Sequence, residues 1–374
     1  MHLVCKTLEY KVLFYTTTKN MLLKLNAIII YSLIAFSIAI VLYPFYISLC
    51  KRRKVWKQIR ETAVTGEKAI IFTDLHKHKS GTPNIGWWLF LIVMLFMIWW
   101  AELLQHRDII NNSLVNRQET YIILFGFFSM GILGLIDDYL NVKWRGTIKW
   151  LSAKGKLIWM FIISAFISRW FYTKLWVDYI NLWPLWGKRD LGIFYPIITF
   201  FVTISIVNAI NITDWLDGLA WWLMTIILII LAVTTFFYQT YIATTIIAIT
   251  IAMLLAFLRY NINPAKIFMG DSGAFALWWL LASLLYILNM RGWIFVPFII
   301  LFAIFITEVA SSWLQILSKK FLKRKLFPVA PLHHYFEKKW HPETAIVMKA
   351  WVIQWLLAAI TIIMLFYQIQ TVVL

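Results

Sequence analysis

Apolar runs long enough to cross a bilayer recur along the whole chain, and no other feature constrains its fold as tightly. They fall at about 26–50, 85–104, 120–136, 157–173, 192–212, 219–237, 241–258, 273–290, 293–316 and 346–370. A membrane helix uses about 20 residues, so ten spans fit within 374 residues with room for loops. Hydrophobic residues make up 62% of the chain and charged residues 14%, whereas soluble domains run nearer ~45–50% and ~25%. One protein core cannot bury that much apolar surface, so lipid must solvate much of it. The fold class expected is all-α: a polytopic membrane protein of about ten transmembrane helices. Residues 26–374 read as a single integral-membrane domain. Residues 1–25 read as an N-terminal extension or a mis-assigned start, because Lys6, Glu9, Lys11 and Lys19 precede Met21 without a cleavage site. Soluble enzymes, secreted disulfide scaffolds and disordered chains are excluded.

The charge supports this reading and adds an orientation. A net charge of +18 could point to nucleic acid, but the Lys and Arg residues cluster in short connections between apolar runs. That is the pattern of the positive-inside rule, and no nucleic-acid partner is expected. With the N-terminus outside, inside connections hold 24 Lys and Arg against 10 in outside segments and the N-terminal stretch. The expected topology is N-out and C-out. Cys5 and Cys50 lie in no metal-binding or redox spacing and read as unpaired thiols.

On that topology five polar segments share the cytoplasmic side. They are Lys77–Pro83, a basic loop; Gly134–Tyr139, with the carboxylate pair Asp137 and Asp138; and Asn208–Gly218, with Asn211, Asp214 and Asp217. Asn261–Gly273, with Phe268 and Asp271, is the fourth, and Pro331–Glu337, with His333 and His334, is the fifth. Singly, each has an ordinary reading as a turn, a solvated loop or a topology determinant. Together they gather five carboxylates, imidazoles and cations beside lipid, where ionisable groups are costly unless they serve a function. Carboxylates supply hard oxygen ligands for Mg²⁺, and cations suit phosphate oxygens. Mid-membrane charges are few, Glu308 being the notable one, and no internal repeat is visible, which argues against a transporter or flippase.

These segments resemble the phospho-N-acetylmuramoyl-pentapeptide transferases of the polyprenyl-phosphate N-acetylhexosamine-1-phosphate transferase superfamily. The likeness runs from about residue 26 to the C-terminus. It rests on Thr82-Pro83, Asp137-Asp-Tyr139, Asn211-Ile-Thr-Asp-Trp-Leu-Asp-Gly218, Phe268-Met-Gly-Asp-Ser-Gly273 and Pro331-Leu-His-His334. The last block, with Phe336-Glu337 and Pro342-Glu343, resembles the muramoyl-pentapeptide branch more than the N-acetylglucosamine branch, which stands as the alternative.

The resemblance implies transfer of phospho-MurNAc-pentapeptide from UDP-MurNAc-pentapeptide to undecaprenyl phosphate in a bacterial plasma membrane, forming lipid I and UMP. It implies Mg²⁺, with Mn²⁺ as a substitute, and a homodimer is a further option. By matching motif, Asp271 resembles the principal metal ligand, with Asp214 also on the metal side. Asp137 and Asp138 resemble the pair that handles the lipid phosphate, with Asp137 the candidate base. Asn208, Asn211, Asp214 and Asp217 resemble the segment that orients nucleotide and metal. Asn261 and Phe268 fall where the uracil pocket is lined, while Lys79, Lys154, His333 and His334 would meet phosphates.

The chain also departs from the family pattern. Tyr335 stands where a third histidine is usual, and Asn141 where a lysine is usual. Tryptophan occupies family glycine positions at 87, 150, 215 and 340, and at 278 or 279. The chain holds 22 Trp and only 14 Gly, although average glycine usage of about 7% would give ~26. The expectation is that UGA codons read as glycine in the source were rendered as tryptophan.

Overall fold

The computed structural model describes residues 2–56, 81–143, 153–182, 187–291, 295–339 and 341–373. Helices α1 (His2–Arg52), α2 (Trp87–His106), α3 (Gln118–Lys143) and α4 (Ala153–Thr173) come first. A short antiparallel hairpin, β1 (Tyr179–Asn181) and β2 (Lys188–Asp190), pairs Ile180 with Arg189. Then come α5 (Tyr195–Thr213), α6 (Leu219–Phe237), α7 (Tyr241–Asn261), α8 (Asp271–Met290), α9 (Phe295–Leu301), α10 (Ala303–Leu317), α11 (Leu332–Lys338) and α12 (Glu343–Val373).

The described residues are mostly helical, as expected; nine of the ten apolar runs fall mainly within one helix each, and 293–316 is divided between α9 and α10. Among the described residues, seven helices are long and apolar enough to cross a membrane. The pair α9 and α10 makes an eighth if it counts as one span, bent by 75° at Phe302. The runs at 157–173 and 192–212 correspond to α4 and α5.

Helix α8 is the axis of the bundle: 94% of its apolar window is buried, against 22% for α1 and for α12. A helix apolar all round belongs inside, whereas α1 and α12 present broad apolar faces where lipid is the solvent. Helix α3 packs closely along α8, α5 lies on another side of α8, and α7 runs between α1 and α6. Gly134 makes the α3–α8 approach possible, because a Cβ there would fall within the Ser272 backbone. Cys50 is a buried free thiol.

The two ends of α8 define the two ends of the molecule, about 30 Å apart for 20 helical residues. At the C-terminal end, Asn289 Oδ1 accepts the Asn181 N–H (2.9 Å) and Asn289 Nδ2 donates to the Tyr179 carbonyl (2.9 Å), anchoring the hairpin. At the other end stands Asp271.

Candidate active site

The aspartates come together because two helix ends meet. Asp137 and Asp138 lie near the C-terminal end of α3 and are 3% and 1% exposed, while Asp271 opens α8 and is half-buried. One ligand oxygen from each lies within 4.8 Å of the others. Asp138 is fixed by the first turn of α8. Its Oδ1 accepts the Asp271 N–H (3.4 Å), and its Oδ2 accepts the Ser272 N–H (3.2 Å) and the Ser272 hydroxyl (3.0 Å). Those amides have no partner within the helix, and an anion there is also favoured by the helix dipole. Gly270 precedes them with φ +89°, and a Cβ would press on the Asp138 carboxylate and lie 2.7 Å from the Asn84 carbonyl. Only glycine tolerates that combination.

Three carboxylates this close repel one another unless a cation or protons lie among them. The donors are all hard oxygens from short side chains, so the group fits Mg²⁺ or Mn²⁺. Asp214 caps the C-terminus of α5 and lies outside this three-carboxylate group.

Around this centre the polar segments are stitched to one another. The Phe268 N–H donates to the Pro83 carbonyl (2.7 Å), and the Gly86 N–H donates to the Phe268 carbonyl (2.9 Å), so the threonine-proline loop lies against the Phe268–Gly270 segment. Asn261, 1% exposed, accepts the Gly218 N–H at Oδ1 (3.1 Å) and donates from Nδ2 to the Ile267 carbonyl (2.9 Å). It therefore fixes the turn after Asp217 to the loop before Phe268. Lys79 lies outside the described residues, as do the side chains of Lys154, Asn208 and Asn211.

The histidines sit on α11, each with a carboxylate. His333 Nδ1 is 3.0 Å from Oε2 of Glu308, a buried residue of α10, and His334 Nδ1 is 2.6 Å from Glu337 Oε2. An ionised carboxylate can only accept, so facing one an imidazole donates from Nδ1. Burial pushes the His334 pKa down, as does His333 beside it, against the upward pull of Glu337. The two rings lie 4.2 Å apart, and the Trp215 indole meets His334 edge-on at 6.1 Å. Tyr335, at the position of the missing histidine, carries the Lys339 ammonium over its ring at 4.7 Å.

Sequence reasoning gave no role to Glu337, Glu343, Asn263 or Ser272. Glu337 was signalled by its three-residue spacing from His334, one helical turn. The partners of the other three lie too far away in sequence to be read.

The model of the family described as Glycosyl transferase family 4 matches residues 120–289, which span α3 to nearly the end of α8. The phospho-N-acetylmuramoyl-pentapeptide-transferase of Thermoanaerobacter sp. (strain X514) is 30% identical over 332 residues, covering 88% of this chain and 96% of that protein. The protein of the same description from Clostridium perfringens (strain SM101 / Type A) is 32% identical over 315 residues, covering 84% and 89%. That of Staphylococcus carnosus (strain TM300) is 30% identical over 335 residues, covering 87% and 95%. Similarity of this extent, carried by a chain whose aspartate motifs meet at one end of a helical bundle, places it in the family of phospho-N-acetylmuramoyl-pentapeptide-transferases.

Proposed function

We propose that the chain moves phospho-MurNAc-pentapeptide from UDP-MurNAc-pentapeptide to undecaprenyl phosphate, releasing UMP and forming lipid I for peptidoglycan synthesis. It does so as a multi-pass protein of the bacterial inner membrane, with the active site on the cytoplasmic face. The observation that carries this reading is the convergence of Asp137, Asp138 and Asp271 within 4.8 Å, beside full-length likeness to transferases of that description. The N-acetylglucosamine-1-phosphate branch and a transporter have no comparable support.

Asp271, with Asp137 and Asp138, would hold Mg²⁺, which when bound neutralises charge on the pyrophosphate. The acceptor phosphate oxygen bonds to the sugar-side phosphorus as the bond to UMP breaks, so one pyrophosphate is exchanged for another. Such a transfer leaves the protein mainly positioning and charge neutralisation. Asp137 is the candidate base that accepts the proton of the lipid phosphate, while Asp138 has both oxygens hydrogen-bonded to the start of α8. Asn208, Asn211, Asp214 and Asp217 orient the nucleotide, and Phe268 lines the uracil side, with Asn261 behind it tying the turn after Asp217 to the loop before Phe268. Lys79, Lys154, His333 and His334 meet phosphates.

The test offers the purified protein UDP-MurNAc-pentapeptide or UDP-N-acetylglucosamine with undecaprenyl phosphate and Mg²⁺. Lipid I forms only from the first, and Asp271→Asn abolishes it while the protein stays folded. Near-normal exchange of UMP into substrate by that variant would sink the metal assignment.

A further inference from the structure

The turn between α5 and α6 is held from the far end of the chain. Glu343 opens α12, 126 residues from Asp217, and its Oε1 accepts the Asp217 backbone N–H (2.5 Å). Its Oε2 lies 3.3 Å from Asn263 Nδ2, and the same amide donates to Asp217 Oδ2 (3.1 Å). Asp217 Oδ2 also accepts the Ala265 N–H (3.0 Å). One amide thus bridges two carboxylates that would otherwise repel each other.

The next residue shows why this tie matters. Gly218 turns with φ +77° into the first turn of α6, and its N–H is taken by Asn261. The Asp217 and Gly218 N–H groups fall between two helices, where no helical acceptor serves them. Side chains from α12 and α7 supply the acceptors. The course of Asp214–Gly218 therefore depends on Glu343 and Asn261 as much as on its own residues.

We infer that Glu343 is a positioning residue for the UDP-sugar substrate. It sets the turn that presents Asp214 and Asp217, without touching the reacting atoms. This rests on reading that turn as the nucleotide side of the site. Asn263 shares the role by keeping the Glu343 and Asp217 carboxylates together. The last helix of the bundle is thereby coupled to donor affinity and not to acceptor affinity.

The experiment is steady-state kinetics on the full-length protein in lipid, varying each substrate in turn. Glu343→Ala leaves a buried N–H without its charged acceptor, so KM for UDP-MurNAc-pentapeptide should rise on the order of tenfold. KM for undecaprenyl phosphate and kcat should stay within about twofold. Glu343→Gln keeps an acceptor for the Asp217 N–H and should recover most of the loss. Asn263→Ala should shift KM for the UDP substrate in the same direction, and it carries the test with Glu343→Gln if the alanine variant does not fold. An equal loss toward both substrates, a fall in kcat alone, or a glutamine variant as impaired as the alanine variant would overturn the positioning role. Asp217→Asn measured alongside separates the two levels. If it raises KM for the UDP substrate and Glu343→Ala does not, only the positioning role falls. If neither does, the nucleotide assignment of the turn falls with it.

Discussion

Asp138 on α3 accepts two hydrogen bonds from Ser272 on α8, one from the backbone N–H at 3.2 Å and one from the hydroxyl at 3.0 Å. One side chain thus caps the central helix and stands among the three carboxylates. The two roles separate by substitution. Asp138→Asn keeps an acceptor for the helix amides but removes the charge, so turnover should fall by about two orders of magnitude or more with little change in melting temperature. Asp138→Ala should lose activity and also about 1 kcal/mol of stability, a typical cost of losing a helix cap. Ser272→Ala should cost about 1 kcal/mol and keep most activity. Equal melting temperatures for the Asn and Ala variants would refute the capping role.

The imidazole of His334 should make stability depend on pH. Burial, with His333 adjacent, holds its pKa below the ordinary 6.5 despite Glu337. The unfolded chain then takes up the proton first as pH falls. The contribution of neutral His334 is complete above pH 6.5 and is lost as pH drops through the folded value. Melting curves between about pH 8 and about pH 5 should show a steeper acid-side decline for the parent than for His334→Gln. Parallel curves would refute the assignment.

Orientation can be read by thiol labelling. The segment after α10 carries Lys319, Lys320, Lys323, Arg324 and Lys325, and Gln315 Oε1 folds it back by accepting the Leu326 and Phe327 N–H groups. It lies at the end of the bundle that holds His333. In a chain stripped of Cys5 and Cys50, a cysteine placed in 317–330 should resist an impermeant reagent in intact cells. One placed in 182–190, the range that includes β2, should react. The reverse pattern would put the carboxylates on the wrong side for a cytoplasmic UDP-substrate.

Helical content and the polar motifs were legible because each is local: apolar length fixes a span, and a short motif fixes a turn. Contacts between distant segments were not. Gly134 reads as one more helix residue until Ser272 is seen against it. Glu308 stood out as a charge within an apolar run, but its partner His333 lies 25 residues on. The 75° bend at Phe302 has no proline at the break to announce it, and Pro297 sits five residues earlier, inside α9. The Asp217–Glu343 tie spans 126 residues.

The expectation that tryptophan stands where the natural chain has glycine calls for a direct test. The buried indole N–H of Trp87 has no acceptor among the described residues. An unmade buried hydrogen bond costs about 1–3 kcal/mol, a cost that glycine would not carry. Trp278 and Trp279 differ, donating to the Thr203 and Ile122 carbonyls, so no such argument applies to them. Trp150 and Trp340 lie outside the described residues. Trp215 is the functional case. It is 46% exposed between Asp214 and Leu216, and its ring stands edge-on to His334. An indole there occupies space beside the proposed nucleotide side, whereas glycine would let backbone approach the ligand. Peptide mass spectrometry of the natural protein should therefore find glycine at 215 and at 87, 150 and 340. The Trp215→Gly protein should bind UDP-MurNAc-pentapeptide more tightly than the chain as written. Tryptophan at 215 in a fully active natural protein would refute this and require a uridine site built around the indole.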